Sequence, residues 1–148
     1  YTDSLTGAYN RRYFDEQLTG LQTISAVASL DIDCFKAVND TFGHAGGDAA
    51  LKTLAAVLKG NVRSADAVIR LGGDEFLIAF QGMHEENLFD KLASLRAAIE
   101  SARVPEYPAL RITASIGGFY CAGCEGDFVK ISDGRLYEAK KTKNTVVV

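Results

Sequence analysis

Apolar residues along the chain follow two spacings, one typical of helices and one typical of buried strands. Recurrence at helical spacing predicts five helices, over residues 10–21, 35–42, 48–62, 87–103 and 126–141. Short apolar and β-branched runs predict five strands, over residues 25–32, 67–71, 75–80, 111–120 and 144–148. Strands interleaved with helices predict an α/β (α+β) fold, in which helices surround a mixed sheet of about five strands.

Glycines punctuate these elements. Gly72 and Gly73 separate the second and third strands, and paired glycines supply the positive φ of tight hairpin turns, so we expect a β-hairpin there. Gly43 offers a stop for the second helix. Gly117-Gly118, inside the fourth strand, suggests a β-bulge. No linker or repeat divides the sequence, and a single domain over residues 1–148 is the expectation.

Composition narrows the class of protein. Of the 148 residues, 47% are hydrophobic and 24% are charged, which favours a folded domain over a disordered chain. No apolar run reaches the roughly eighteen residues that span a membrane, and a net charge of −3 counts against a nucleic-acid partner. Residue 1 is Tyr, and no signal-peptide pattern is present. We therefore expect a fragment of a larger multidomain protein, without membrane contact of its own.

The three cysteines, Cys34, Cys121 and Cys124, form an odd and sparse set. Such a set fits a reducing, cytoplasmic compartment better than a disulfide framework. Cys121 and Cys124 have the spacing of half a zinc site, but no second Cys or His pair completes the four ligands. We expect an ordinary loop at this place.

Carboxylates gather at the ends of two predicted strands. Asp31 and Asp33 finish a buried strand and, being two residues apart, share one face. Asp74 and Glu75 lie at the tip of the hairpin. If the two ends meet, carboxylates about 4 Å apart repel by roughly 4 kcal/mol at an effective dielectric of 20, so the cluster needs a cation or protons. Mg²⁺ commonly uses one or two carboxylates together with substrate phosphates.

Each acidic segment also has a purely structural interpretation. Asp after Gly-Gly is a common turn residue, and Asp at a strand end often caps the next helix. Asp48, which follows Gly46-Gly47, has the same alternative as a helix N-cap. On the predicted second helix, Lys36 and Asn39 share a polar face. A Lys there suits a phosphate, and an Asn suits the edge of a purine.

Ordered blocks across nearly the whole chain, taken together, resemble the GGDEF domain of diguanylate cyclases. The signature itself is Gly-Gly-Asp-Glu-Phe at residues 72–76. The other blocks lie at residues 3–14, 31–44, 47–48, 63–66, 70–71, 115–118 and 136–140. The resemblance implies condensation of two GTP into cyclic di-GMP with release of two pyrophosphates. It also implies a fold like the palm of nucleotidyl cyclases, with the catalytic turn on the hairpin, and a homodimer for catalysis.

The resemblance also assigns the catalytic and metal-binding residues. Asp31, Asp74 and the carbonyl of Ile32 would hold two Mg²⁺ or Mn²⁺ ions. Asp74 would also accept the proton of the 3′-hydroxyl, with Glu75 completing the acidic tip. Because neighbouring residues of a regular strand face opposite ways, only one of this pair is expected to point at the metals. Lys36 would stabilise charge on the phosphates.

Substrate contacts are implied in the same way. Asn39 and Asp48 would read guanine, Gly73 would lie against the nucleotide at the turn, and Lys140 would hold the terminal phosphates. Residues 139–144 depart from the family, which commonly has Gly-Arg-Asn after Ala-Lys and two further residues. Lys143 is the candidate for the second phosphate-binding cation, although lysines at a helix end also complement the helix dipole.

Arg63 and Asp66 stand where the family's product-inhibition motif belongs, and cyclic di-GMP is expected to bind there and inhibit. The alternative is an exposed ion pair of little energetic weight. A second function also stays open, namely a catalytically silent domain that binds GTP or cyclic di-GMP and regulates an attached phosphodiesterase or another output. Sensory or output domains are expected elsewhere in the full-length protein.

Overall fold

The computed structural model describes residues 1–18, 23–122 and 126–148, and these contain one five-stranded sheet with the strand order β2-β3-β1-β4-β5. The strands are β1 (Ile24–Ile32), β2 (Ala67–Gly72), β3 (Glu75–Gln81), β4 (Ala114–Tyr120) and β5 (Val146–Val147). All neighbours are antiparallel except β4 and β5. The predicted mixed sheet is confirmed, with the fourth and fifth strands shorter than expected.

Helices cover both faces of the sheet. They are α1 (Arg11–Tyr13), which continues as a π-helical segment (Phe14–Leu18), α2 (Phe35–Gly60), α3 (Glu85–Ser101) and α4 (Phe128–Thr142). The end of the first predicted helix, including Leu21, and the loop residue Cys124 lie outside the described residues. None of the described helices has a stretch long and apolar enough to cross a bilayer.

Strand β1 is buried on both faces, which is why it reads as a continuous apolar run. Ala28 and Leu30 face the cluster formed with α2 and α3, whereas Val27 faces the cluster formed with the π-helical segment and the start of α4. Ser29 also lies on the α4 side, where its hydroxyl is 2.7 Å from that of Ser132. Since side chains alternate along a strand, Asp31 belongs to the α4 side as well.

Helix α2 is bent where the sequence predicted a stop. Gly43 has non-helical dihedrals (φ 76°, ψ 174°), but the helix resumes directly afterwards. The alternative of Asp48 as an N-cap is wrong, because Asp48 lies inside the second half of the helix. Gly46 and Gly47 let the two halves meet: a Cβ on Gly47 would clash with the side-chain oxygen of Asn39.

The glycines of β4 serve close packing. The predicted bulge is wrong, because β1 and β4 pair residue for residue through Gly117 and Gly118. A Cβ on Gly117 would instead clash with the backbone of α4 at Ser132 and Leu136. Helix α4 therefore lies directly against the sheet, and this brings its C-terminal turn to the end of β1.

The N-terminal segment covers the outer edge of β2. The amide of Tyr9 donates to the carbonyl of Val68 at 3.0 Å, and the amide of Arg70 donates to the carbonyl of Tyr9 at 2.8 Å. Residues 2 and 9 also form a bridge with each other. The first ten residues are thus part of the sheet's edge rather than a free tail.

Candidate active site

The two acidic segments meet because their strands are neighbours. Asp31, near the end of β1, pairs with Glu75 on β3 and with Ser115 on β4. Both segments border one cavity of about 660 Å³ at this end of the sheet. Its lining consists of Asp31, Ile32, Asp33, Cys34, Phe35, Lys36, Asn39, Asp74, Glu75, Lys140 and Lys143. The structure thus brings together most of the residues singled out from the sequence.

Asp31 is a buried carboxylate, 3% exposed, with unequal oxygens. Oδ2 forms an ion pair with the ammonium group of Lys140, whereas Oδ1 is buried without a hydrogen-bond partner among the described residues. Burial raises the pKa of Asp31 to about 6; Lys140 opposes this shift, and the charges of Asp74 and Asp33 add to it. Burial lowers the pKa of Lys140, but the carboxylates of Asp31, Asp74 and Glu75 together outweigh burial and the net shift is upward.

The orphaned oxygen fits a cation. Leaving a buried acceptor unsatisfied costs about 1–3 kcal/mol, more when it is charged, and a bound ion would remove that cost. Asp74 lines the same cavity, and so does Ile32, although its side chain is buried in the core. The described residues hold no group of three or more His, Cys, Asp and Glu side chains placed to bind a metal. A site with few carboxylates that is completed by a carbonyl, water and phosphate oxygens suits Mg²⁺.

Asp33 has a different task from Asp31. Its carboxylate accepts hydrogen bonds from the hydroxyls of Thr113 at 2.7 Å and Ser115 at 2.6 Å. It also accepts one from the backbone amide of Asn144 at 2.8 Å. With three donors in place, Asp33 fastens the end of β1 to β4 and to the residues after α4. The sequence spacing predicts only that Asp33 shares a face of the strand with Asp31.

The hairpin turn presents Asp74 and Glu75 to the same cavity. Gly72 and Gly73 have φ of 149° and 53°, as expected for a turn that needs glycine. Both acids line the cavity, and that only one of them points at the metals stays a prediction. Asp74 lies in the turn before β3 begins. Strand alternation therefore does not apply to it.

Arg70, shortly before Asp74 and Glu75 in the chain, fixes the hairpin turn, although the sequence pattern indicates no role for it. Its Nε and Nη2 donate to the carbonyl of Gly73 at 3.0 and 2.8 Å. Its Nη1 donates to both carboxylate oxygens of Asp3 at 3.2 Å. The carbonyl of Gly73 thus faces Arg70, and the described cavity linings do not include Gly73. No spacing rule links residues 3 and 70, so only the fold reveals this contact.

The two predicted guanine readers border different spaces. Asn39 and Lys36 line the cavity of Asp31. Asp48 lines a neighbouring groove, also of about 660 Å³, which runs between α2 and residues 102–107 and includes Tyr107. Gly47, the residue directly before Asp48, lies against the side chain of Asn39. The residue before Asp48 is therefore in contact with Asn39, although the side chains of Asn39 and Asp48 line different spaces.

Arg63 and Asp66 lie apart from these residues, beside a cavity of about 490 Å³. The side chain of Asp66 is 2% exposed. Its carboxylate accepts from the backbone amides of Arg63 at 2.9 Å and Gln81 at 3.0 Å. The Arg63 guanidinium donates to the carbonyl of Gln81 and stays 60% exposed. In this arrangement Asp66 fastens its own loop, and Arg63 is the accessible member of the pair.

The chain is thus an α/β domain whose mixed sheet ends in a cavity lined by carboxylates and lysines. Comparison with protein-family models matches residues 1–145 to the family described as "Diguanylate cyclase, GGDEF domain". The chain belongs to the GGDEF domain family of diguanylate cyclases, as its sequence blocks had indicated.

Curated relatives and solved structures agree with this assignment. The chain is 38% identical to the response regulator PleD of Caulobacter vibrioides and 35% identical to the probable diguanylate cyclase DgcT of Escherichia coli. The alignments cover 99% and 100% of the chain but only 35% of either relative. The chain thus spans about a third of the length of these relatives.

Two crystal structures show the same fold. The diguanylate cyclase SiaD of Pseudomonas aeruginosa, in complex with its activator SiaC, superposes with a TM-score of 0.91 at 31% identity, covering 99% of this chain and 60% of that one. The GGDEF domain of DgcB from Caulobacter crescentus, in complex with c-di-GMP, gives a TM-score of 0.86 at 29% identity, covering 99% and 91%. The fold and the family are therefore established.

Proposed function

We propose that this chain is an active diguanylate cyclase domain, which condenses two GTP molecules into cyclic di-GMP and releases two pyrophosphates. The observation that carries the proposal is Oδ1 of Asp31, which is buried without a hydrogen-bond partner among the described residues, in a cavity that also holds Asp74 and three lysines. Carboxylate oxygens suit cations and ammonium groups suit phosphates. The cavity therefore offers the contacts that a metal-bound nucleoside triphosphate requires, and family membership supports the same conclusion.

Two Mg²⁺ or Mn²⁺ ions are the proposed cofactors, held by Asp31, Asp74 and the carbonyl of Ile32. When bound, such ions supply Lewis-acid stabilisation of the attacking and leaving oxygens. Asp74 would take the proton of the 3′-hydroxyl, and Glu75 would keep the turn acidic. Because phosphoryl transfer depends mainly on positioning and charge, these residues act by holding the reacting groups.

The lysines and the base-reading residues complete the substrate site. Lys36 balances charge at the reacting phosphate, while Lys140 and Lys143 bind the terminal phosphates. Asn39, in the cavity, and Asp48, in the groove, recognise guanine. A carboxylate accepts from the N1–H and the exocyclic amine of guanine together, and adenine offers no such pair of donors, so GTP is favoured over ATP.

Catalysis requires two copies of the chain. One cavity holds one GTP, whereas the product joins two nucleotides, so two domains meet face to face and each presents its nucleotide to the other. Sensory or output domains in the full-length protein would control this meeting. The short span of the chain within its curated relatives is compatible with such neighbours.

Product feedback is proposed at Arg63 and Asp66. The exposed guanidinium of Arg63 can bind a phosphate or the O6/N7 edge of guanine bidentately. Asp66 holds the loop that presents it. Calorimetry with cyclic di-GMP is the test, in which Arg63→Ala is expected to weaken binding. Equal affinity of wild type and variant would refute feedback at this place.

The cyclase activity is tested with a covalently dimerised form of the chain, incubated with GTP and Mg²⁺. Cyclic di-GMP and pyrophosphate are the expected products, measured by chromatography, and Asp74→Asn is expected to abolish both. Tight binding of GTP without any product would instead favour a regulatory nucleotide-binding module.

A further inference from the structure

The chain turns sharply after α4, at two residues with backbone conformations that side chains disfavour. Lys143 has φ 65° and ψ 156°, and Asn144 has φ 48°. Asn tolerates a positive φ, but the combination at Lys143 belongs to a region that is essentially restricted to glycine. A lysine persists in such a conformation only when its surroundings hold it there.

Asn144, the next residue, is hydrogen-bonded to two parts of the fold, and these contacts restrain the backbone at Lys143. Its backbone amide donates to Asp33 at 2.8 Å, which ties it to the end of β1. Its side-chain oxygen accepts from the guanidinium of Arg96 at 2.8 Å, and its side-chain amide donates to Glu100 at 2.7 Å. Arg96 and Glu100 also pair with each other along α3 at 3.2 Å. Asn144 therefore joins α3 to the strand that carries Asp31.

The contacts of Asn144 restrict the backbone of Lys143, which precedes it. The amide of Lys143 closes the last turn of α4 on the carbonyl of Ala139 at 2.9 Å. Its carbonyl accepts from the hydroxyl of Thr145 at 2.7 Å. With both neighbouring peptides fixed, Lys143 lines the cavity that also contains Lys140 and Asp31. If the backbone at residue 143 relaxed, the side chain of Lys143 would no longer be held toward the cavity.

We propose that Asn144 is a positioning residue which, clamped by Arg96 and Glu100, holds Lys143 over the cavity so that it binds the terminal phosphates of a nucleoside triphosphate. The inference rests on the proposed function, because it assumes that a triphosphate occupies this cavity. It adds that the strained backbone is maintained for this contact. Replacing Lys143 by glycine would relieve the strain and remove the phosphate contact together.

The test compares two ligands that differ in their phosphates. The non-cyclisable α,β-methylene analogue of GTP reaches Lys143, whereas GMP lacks the terminal phosphates. We expect Asn144→Gly, which still permits a positive φ, to weaken binding of the triphosphate analogue on the order of tenfold and to leave GMP binding unchanged. Lys143→Gly is expected to give the same loss and to raise the thermal midpoint, since glycine adopts this backbone without strain.

Three further variants make the result decisive. Asn61→Gly replaces another asparagine that follows a helix and whose amide donates to a helix carbonyl, and it should change neither affinity. Arg96→Gln leaves residue 144 intact but weakens its clamp, so it should lower triphosphate affinity less than Asn144→Gly does. In the Lys143→Ala background, Asn144→Gly should have no additional effect, because the contact it supports is already lost.

The outcomes separate the inference from the proposed function. If Asn144→Gly weakens GMP and the triphosphate equally, Asn144 is merely structural and the positioning role is overturned. If Asn144→Gly binds the triphosphate like wild type, the role also fails while the cyclase proposal stands. If wild type binds the triphosphate no better than GMP, the cavity does not hold terminal phosphates, and both fail.

Discussion

Arg70 and Asp3, which are 67 residues apart in the chain, form a partly buried ion pair at 3.2 Å beside the hairpin turn. Arg70 uses its remaining donors on the carbonyl of Gly73, the residue directly before Asp74. Asp3 in turn accepts from the amide and hydroxyl of Thr6. The N-terminal segment and the hairpin turn are therefore parts of one hydrogen-bonded unit.

This unit predicts a pH dependence of stability. Burial raises the pKa of Asp3, but its hydrogen bonds from Thr6 and Arg70 outweigh burial, and the net shift is downward from 3.8. A lowered pKa in the folded state gives stability that is present above about pH 4 and disappears as the pH falls through the folded-state value. Asp3→Asn should thus cost about 1 kcal/mol of unfolding free energy near pH 7 and much less near pH 2. Urea unfolding measures both, and a pH-independent difference would contradict the assignment.

Arg70→Lys should separate charge from geometry at the turn. Lysine keeps the positive charge beside Asp3 but cannot donate two parallel hydrogen bonds to the carbonyl of Gly73. We expect cyclase activity to fall on the order of tenfold, with little change in the thermal midpoint, because Asp74 loses its fixed position. Arg12→Lys, at an exposed ion pair of α1, is the matched control and should leave activity unchanged. Loss of activity in both variants would argue against a specific role for Arg70.

Asp31→Asn should remove the stabilisation by Mg²⁺ while leaving the metal-free protein at least as stable as wild type. The substitution removes a buried charge with one unsatisfied oxygen, and Lys140, which is about half exposed, can remain hydrated. In chelator, the variant is therefore expected to be as stable as wild type or more stable by up to about 2 kcal/mol. Mg²⁺ should raise the melting temperature of wild type but not of the variant. Equal Mg²⁺ stabilisation of both proteins would show that Asp31 is not a ligand.

A glycine pair tests the seating of α4. Gly117→Ala places a Cβ against the backbone of α4, so it should cost more than about 3 kcal/mol or prevent folding. Gly134→Ala is the matched control, because it meets nothing within 4 Å and lies inside α4. It should stabilise the protein by about 1 kcal/mol through helix propensity. Chemical unfolding of the two variants gives the comparison, and similar values would contradict the close approach.

Much of the fold could be predicted because local patterns agree with the packing. β1 reads as an apolar run since both of its faces are covered, and the hairpin follows from two glycines with positive φ. The described part of the first predicted helix is α-helical at Arg11–Tyr13 and π-helical at Phe14–Leu18, a difference that apolar spacing does not distinguish. Gly117 was misread because a glycine within a strand serves a bulge and a close approach equally well.

The sequence predicted which residues form the site, but not the hydrogen bonds and ion pairs that hold them in place. Asp31, Asp74 and Lys36 follow from the motif, and the pairing of β1 with β3 explains why the acids meet. The hydrogen-bond donors to Asp33 and the ion-pair partner of Arg70 lie about 70 to 110 residues away, at sequence separations that periodicity does not address. Such contacts depend on the completed sheet, and their assignment therefore required coordinates.

The covered edge of β2 limits how two copies of the chain can associate. Tyr9 already occupies the carbonyl of Val68 and the amide of Arg70 on that edge, and β5 at the opposite edge contains only two residues. Open edges are the usual template for strand exchange and aggregation between molecules. In the proposed dimer we therefore expect the two copies to associate through side-chain surfaces, without a continuous intermolecular β-ladder, and such a contact can be broken and remade without unfolding either subunit.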